Sequence, residues 1–118
     1  MTDQDSIQAP TAEVRAFAVE RDWEKFHDPK SLVLALMGEV GELAELFQWV
    51  PADGVLDEFA SPERKQRAAE EISDVLTYLL RLADVLEIHL GPSVLRKLQV
   101  SRQRFDPAEV AGVAPAKP

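Results

Sequence analysis

The 118-residue chain contains no cysteine, which excludes disulfides and thiolate metal ligands and fits a reducing, cytoplasmic setting. Basic residues are in the minority, 13 Lys and Arg against 21 Asp and Glu, for a formal net charge of −8. Such a surface does not hold a nucleic acid polymer, because that binding needs clustered positive charge. A free nucleotide stays open, since divalent ions bridge phosphates to carboxylates. No apolar run approaches the ~18 residues of a membrane span, so no membrane partner is expected. The opening MTDQDSIQAP has neither a basic n-region nor an apolar h-region, and so does not read as a signal peptide. Nothing alternates with period two for long enough to suggest a strand. The expected class is all-α.

What is present has helical spacing throughout. Residues 1–10 read as a flexible leader, 11–105 as a single all-α domain and 106–118 as a disordered tail. Thr11 is placed to cap a first helix through TAEVRAFAVERDWEKF. Asp28 and Pro29 form an N-cap and first-position pair for a second helix, whose Leu32, Leu36, Leu43 and Leu46 recur until Pro51. PADGVLDEFAS reads as a loose loop with room for short turns. Ser61 and Pro62 then start a third helix expected to reach Leu90, where Gly91 and Pro92 break it; a fourth covers 93–105. Ala68, Ile72, Val75, Leu79, Leu82 and Leu86 make one stripe of the third helix. A second set, Leu76, Leu80 and Ala83, widens its apolar arc beyond what one partner helix covers, which points to self-association of a four-helix, bundle-like subunit.

Two pairs of acids interrupt the most apolar stretches. Glu39 falls where the second helix calls for an apolar residue, and Glu42 stands three residues on. Glu71, Asp74 and Tyr78 follow i, i+3, i+7 beside the stripe of the third helix, with Arg67 and Arg81 extending their line at either end. An isolated ExxE is usually a solvated face, as Glu13, Glu20, Glu24, Glu45, Glu63 and Glu70 read here. Two pairs in apolar surroundings on successive helices are different, because uncompensated carboxylates are expensive to remove from water. Antiparallel packing brings the pairs together. Oxygen-only ligands suit Mg²⁺, or Mn²⁺, better than zinc. A di-iron carboxylate site needs ExxH on each of two helices. Only His27 and His89 are present, and His89 has no glutamate three residues before it.

The segment FAVERDWEKFHDPKSLVLALMGEVGELAELFQW, followed by EEISDVLTYLL, resembles the MazG-like all-α nucleoside triphosphate pyrophosphohydrolases, most closely the dCTP pyrophosphatase branch, over about residues 14–105. The family's ExxE and ExxD motifs fall on Glu39, Glu42, Glu71 and Asp74. The resemblance implies Mg²⁺ held by these four acids and hydrolysis of a nucleoside triphosphate between its α and β phosphorus atoms. Glu42 is then the first candidate for general base, with Glu39 next. It further implies a substrate site formed by Trp23, Phe26, His27, Trp49 and Tyr78 around the base, with a lysine at the position of Lys97; the basic residues Lys97, Arg102 and Arg104 are candidates to meet phosphate oxygens, and Ser101 is a further substrate-site candidate. A homotetramer built as a dimer of dimers is implied as well. Two positions depart from the pattern: Ser31 and Ser101 stand where the family often has Asn, which bears on base or sugar choice. The expected substrate is dCTP or a modified dCTP, removed from the precursor pool. A broader nucleotide or dUTP pyrophosphatase, or a noncatalytic helical binding or oligomerisation module, are the alternatives.

Overall fold

A computed structural model describes residues 6–114, all helix, turn and loop with no strand among them. In order these are α1 (Gln8–Glu20), a 3-10 turn (Glu24–Phe26), α2 (Pro29–Phe47), a second 3-10 turn (Ala52–Gly54), α3 (Val55–Glu58), α4 (Pro62–Val85), α5 (Leu90–Arg104) and α6 (Pro107–Val110). The all-α expectation holds. Two compact units divide between Ile88 and His89. The parts of the expected leader and tail at 1–5 and 115–118 lie outside the described residues.

Helix starts follow side-chain chemistry, though not always the residues first expected. Asp28 caps α2 by accepting from the Ser31 N–H at 2.9 Å and from the Ser31 hydroxyl at 2.7 Å. Ser61 caps α4 by accepting from the Arg64 N–H at 3.3 Å. α1, however, begins at Gln8 and not after Thr11. Pro10 is tolerated there because first-turn N–H groups have no helical acceptor, and Thr11 turns its hydroxyl back onto the Ile7 carbonyl at 2.6 Å. In the expected tail, Asp106 and Pro107 start α6, with Asp106 accepting from the Ala108 N–H at 3.0 Å. This is the same N-cap and proline pairing as at Asp28 and Ser61.

The ends differ more. α2 stops at Phe47, and the following segment is not loose. Phe59 stacks on Phe47 with centroids 4.4 Å apart, and the Arg64 guanidinium covers Phe59 at 4.8 Å. α4 stops at Val85, five residues short of the expected Leu90, because Glu87 adopts left-handed backbone with φ 56°. The closure returns the Ile88 N–H to the Ala83 carbonyl at 2.8 Å and the Glu87 N–H to Asp84 at 3.1 Å. α1 closes in the same way, with Asp22 at φ 55° and the Trp23 N–H on Ala18 at 2.9 Å. Gly91 and Pro92 lie in the first turn of α5. A proline breaks a helix it interrupts and opens one whose first turn it occupies.

In the first unit, α4 packs on both α2 and α1. The Arg64 side chain reaches the Leu46 carbonyl, Glu71 meets Glu39 and Glu42, and Arg81 meets His27. Positions on α4 thus rise as their partners toward α2 fall, which is the antiparallel register. Among the described residues the buried apolar core is small: Ala18, Leu32, Leu80 and Ala83. Leu80 and Ala83 come from the second apolar set of α4, whereas Ile72, Leu79 and Leu86 of the expected stripe are exposed.

Candidate functional site

Packing α2 against α4 brings one carboxylate oxygen from each of Glu39, Glu42 and Glu71 within 4.8 Å of one another. Glu71 is 4% exposed and Glu39 half-buried, while Glu42 is open to solvent. Buried carboxylates normally exhaust their hydrogen-bonding capacity. Here Oε2 of Glu39 and Oε2 of Glu71 have no partner among the described residues. Arg67, one turn before Glu71, contacts the other Glu71 oxygen through an ion pair. Asp74 is exposed and outside the close trio, but its charge still acts on Glu39.

The electrostatics at Glu39 are those of a site short of positive charge. Burial first, then the charges of Glu42, Asp74 and Glu71, with a hydrogen bond to Glu42, raise its carboxyl above the ordinary range. Orphaned buried oxygens, three converging carboxylates and a raised proton affinity all fit a divalent cation with oxygen ligands. An open cavity of about 450 Å³ lies beside this cluster, lined by Glu42, Glu45, Leu46 and Arg67. Its size falls within the range of small-ligand pockets.

The aromatic candidates lie apart from the apolar core. Trp23 packs edge-on to Phe17 with centroids 5.7 Å apart, and Phe26 is exposed beside Lys25. Burial in the core of one copy is thereby excluded for Phe26. Trp49 is 86% exposed just beyond α2, and Tyr78 is half-buried on α4. His27 is held from α4, its Nδ1 accepting from the Arg81 Nε at 3.0 Å. Ser31 has both its N–H and hydroxyl engaged by Asp28. Lys97, Ser101 and Arg102 lie on α5 in the second unit, Lys97 and Arg102 exposed and Ser101 half-buried.

Sequence reasoning placed Arg67 and Arg81 on the acidic line without assigning them partners, and it missed Arg15 and Asp84. Arg81 and Asp84, at i and i+3, are joined at 3.0 Å. That spacing was visible, but the reach to His27 and Arg15 requires the tertiary fold.

No protein-family model matches the chain. It is 50% identical over 95 residues to dCTP pyrophosphatase 1 of Homo sapiens, a match covering 80% of this chain and 55% of the relative. With dCTP pyrophosphatase 1 of Bos taurus it shares 49% identity over 89 residues, 75% of this chain and 53% of that one. The chain therefore spans about half the length of the curated relatives it matches. Among solved structures, a pyrophosphatase from Archaeoglobus fulgidus aligns with a TM-score of 0.77 and 37% identity, covering 85% of this chain and 92% of that one.

Proposed function

The chain belongs to the MazG-like all-α pyrophosphatases, and on that basis we propose that it hydrolyses dCTP, or a modified dCTP, to the nucleoside monophosphate and pyrophosphate in the cytoplasmic nucleotide pool. The observation that carries the reading is the convergence of Glu39, Glu42 and Glu71 with two buried oxygens unpaired. Glu39, Glu42, Glu71 and Asp74 would hold Mg²⁺. When bound, the ion supplies charge neutralisation for the triphosphate and a lowered pKa for the attacking water.

The remaining work falls to the chain's own groups. Glu42 is the open member of the trio and is our first choice to accept the water's proton at a carboxylate oxygen, with Glu39 next. Trp23, Phe26, His27, Trp49 and Tyr78 form the base side of the proposed pocket. Stacking on such faces is worth about 1–3 kcal/mol per base. Trp49, at 86% exposure, has its ring open to such stacking. Lys97 and Arg102, with Arg104, are assigned to the phosphates, and Ser101 to the choice of base or sugar.

Assembly belongs to the same proposal. Leu34 and Met37 on α2 are 63% and 61% exposed, and Val33, Val40, Ile72, Leu76 and Leu79 are also exposed on α2 and α4. Contiguous apolar faces on an isolated copy mark an interaction surface. We assign them to copies of this chain in a homotetramer, a dimer of dimers.

The test is a panel of nucleoside triphosphates incubated with the protein and Mg²⁺, the products separated by chromatography. Monophosphate and pyrophosphate, formed fastest from a deoxycytidine triphosphate, are the expected outcome. Equal rates across all bases would refute the substrate assignment, and diphosphate with phosphate would refute the bond assignment.

A further inference from the structure

Four titratable groups from different parts of the first unit form a hydrogen-bonded chain of which only His27 has a place in the proposed site. Arg15 on α1 donates from Nε to Oδ2 of Asp84 at 2.9 Å and from its second arm to Oδ1. The same Asp84 Oδ2 accepts from the Arg81 Nη1 at 3.0 Å. Arg81 then donates from Nε to the His27 Nδ1, 54 residues away in sequence, at 3.0 Å. Arg81 is only 6% exposed, so its charge has been taken out of water and set between an acid and an imidazole. A buried charge persists where its partners are well arranged.

The direction of the last bond fixes the state of His27. A guanidinium only donates, so Nδ1 must present a lone pair, and the neutral ring carries its proton on Nε2. An imidazolium would point a second N–H at Arg81. Two arginines share the single charge of Asp84, so the group keeps an excess of positive charge that further disfavours protonating His27. Burial, followed by the Arg81 charge, lowers the His27 pKa against an opposing pull from Glu24. Nε2 has no hydrogen-bond partner among the described residues. His27 ends the turn that carries Trp23 and Phe26 and directly precedes the cap of α2.

We propose that Arg81, held by Asp84 and Arg15, is a positioning residue that locks His27 as the Nε2–H tautomer, so that the ring offers one fixed donor to an acceptor atom on the base or sugar of the nucleotide. The proposal rests on the reading of this turn as the base side of the pocket. Without the lock, the ring divides between two tautomers and the donor is present only part of the time.

Nitrogen-15 NMR of the full chain tests the lock without turnover, so its outcome is independent of whether the proposed hydrolysis occurs. With only two histidines, His89→Gln assigns the signals. The expected result is a single His27 form with Nδ1 unprotonated and Nε2 protonated. The opposite tautomer, or an averaged pair, overturns the proposal. Arg81→Lys keeps the charge but loses the planar fork, and should average the His27 signals and raise KM for the nucleotide roughly 2–10-fold, the value of one hydrogen bond, with kcat little changed. His27→Ala should raise KM to a similar degree, and the double variant should be no worse than His27→Ala alone. Additive losses in KM would show that Arg81 acts independently of His27 and overturn the positioning role. If Arg81→Lys does not fold, the wild-type tautomer still decides the outcome.

Discussion

Glu39 concentrates the tension of the site in one side chain: an orphaned buried oxygen, three acidic neighbours and a carboxyl pushed above its ordinary range. Because the folded pKa is raised, the metal-free fold takes up this proton before the unfolded chain does as pH falls. The associated stability is therefore present at low pH and lost as pH rises through the folded pKa. Cation binding must release the proton, so affinity for Mg²⁺ or Mn²⁺ should increase with pH across that window; calorimetry in buffers of different ionisation enthalpy would measure the released proton. A flat affinity with no proton release would contradict the assignment. Glu39→Gln imitates the protonated form. It should reduce Mg²⁺-dependent turnover roughly 100-fold or more while leaving the metal-free melting temperature unchanged or higher, a pairing that separates a binding site from a structural residue. Equal loss of activity and stability would argue for a structural role.

At the level of elements, helix starts were read correctly from a capping side chain before proline at Asp28–Pro29 and Ser61–Pro62, while the same pairing at Asp106–Pro107 was passed over in the expected tail. Helix ends were not, because they depend on backbone that the chain adopts only once packed. Glu87 is the instructive case: a non-glycine residue at φ 56° ends α4 and sends Ile88 back toward Ala83. Left-handed backbone is strained for a residue with a Cβ and free for glycine. Glu87→Gly should therefore stabilise the fold by up to about 1 kcal/mol, read as a higher denaturant midpoint at unchanged m-value. A large loss of stability would show that the Glu87 side chain outweighs the relief of strain. The convergence of Glu39, Glu42 and Glu71 was foreshadowed by acids set within and beside apolar stripes on successive helices, whereas the position of Asp74 outside the close trio was not. The chain from Arg15 through Asp84 and Arg81 to His27 was not, since its members look like ordinary surface charge until α1, α4 and the turn before α2 are packed together.

For the whole molecule, the small core and the exposed apolar faces have one physical reading. Among the described residues, the buried apolar side chains Ala18, Leu32, Leu80 and Ala83 are few, while Leu34, Met37 and Ile72 stand open. The widened arc of α4 signalled this in the sequence, although which apolar set faced inward required the structure. Met37→Asp, placed on the assigned interface, should reduce the mass measured by light scattering toward that of one chain while preserving helicity by circular dichroism. An unchanged mass would remove that face from the assembly. The carboxylate site is tested most directly by hydrolysis of dCTP by the wild type and by Glu71→Gln, with and without Mg²⁺. The expected result is equal amounts of dCMP and pyrophosphate, no turnover without the ion, and severe loss in Glu71→Gln. Release of dCDP and phosphate, or full activity in Glu71→Gln, would contradict it.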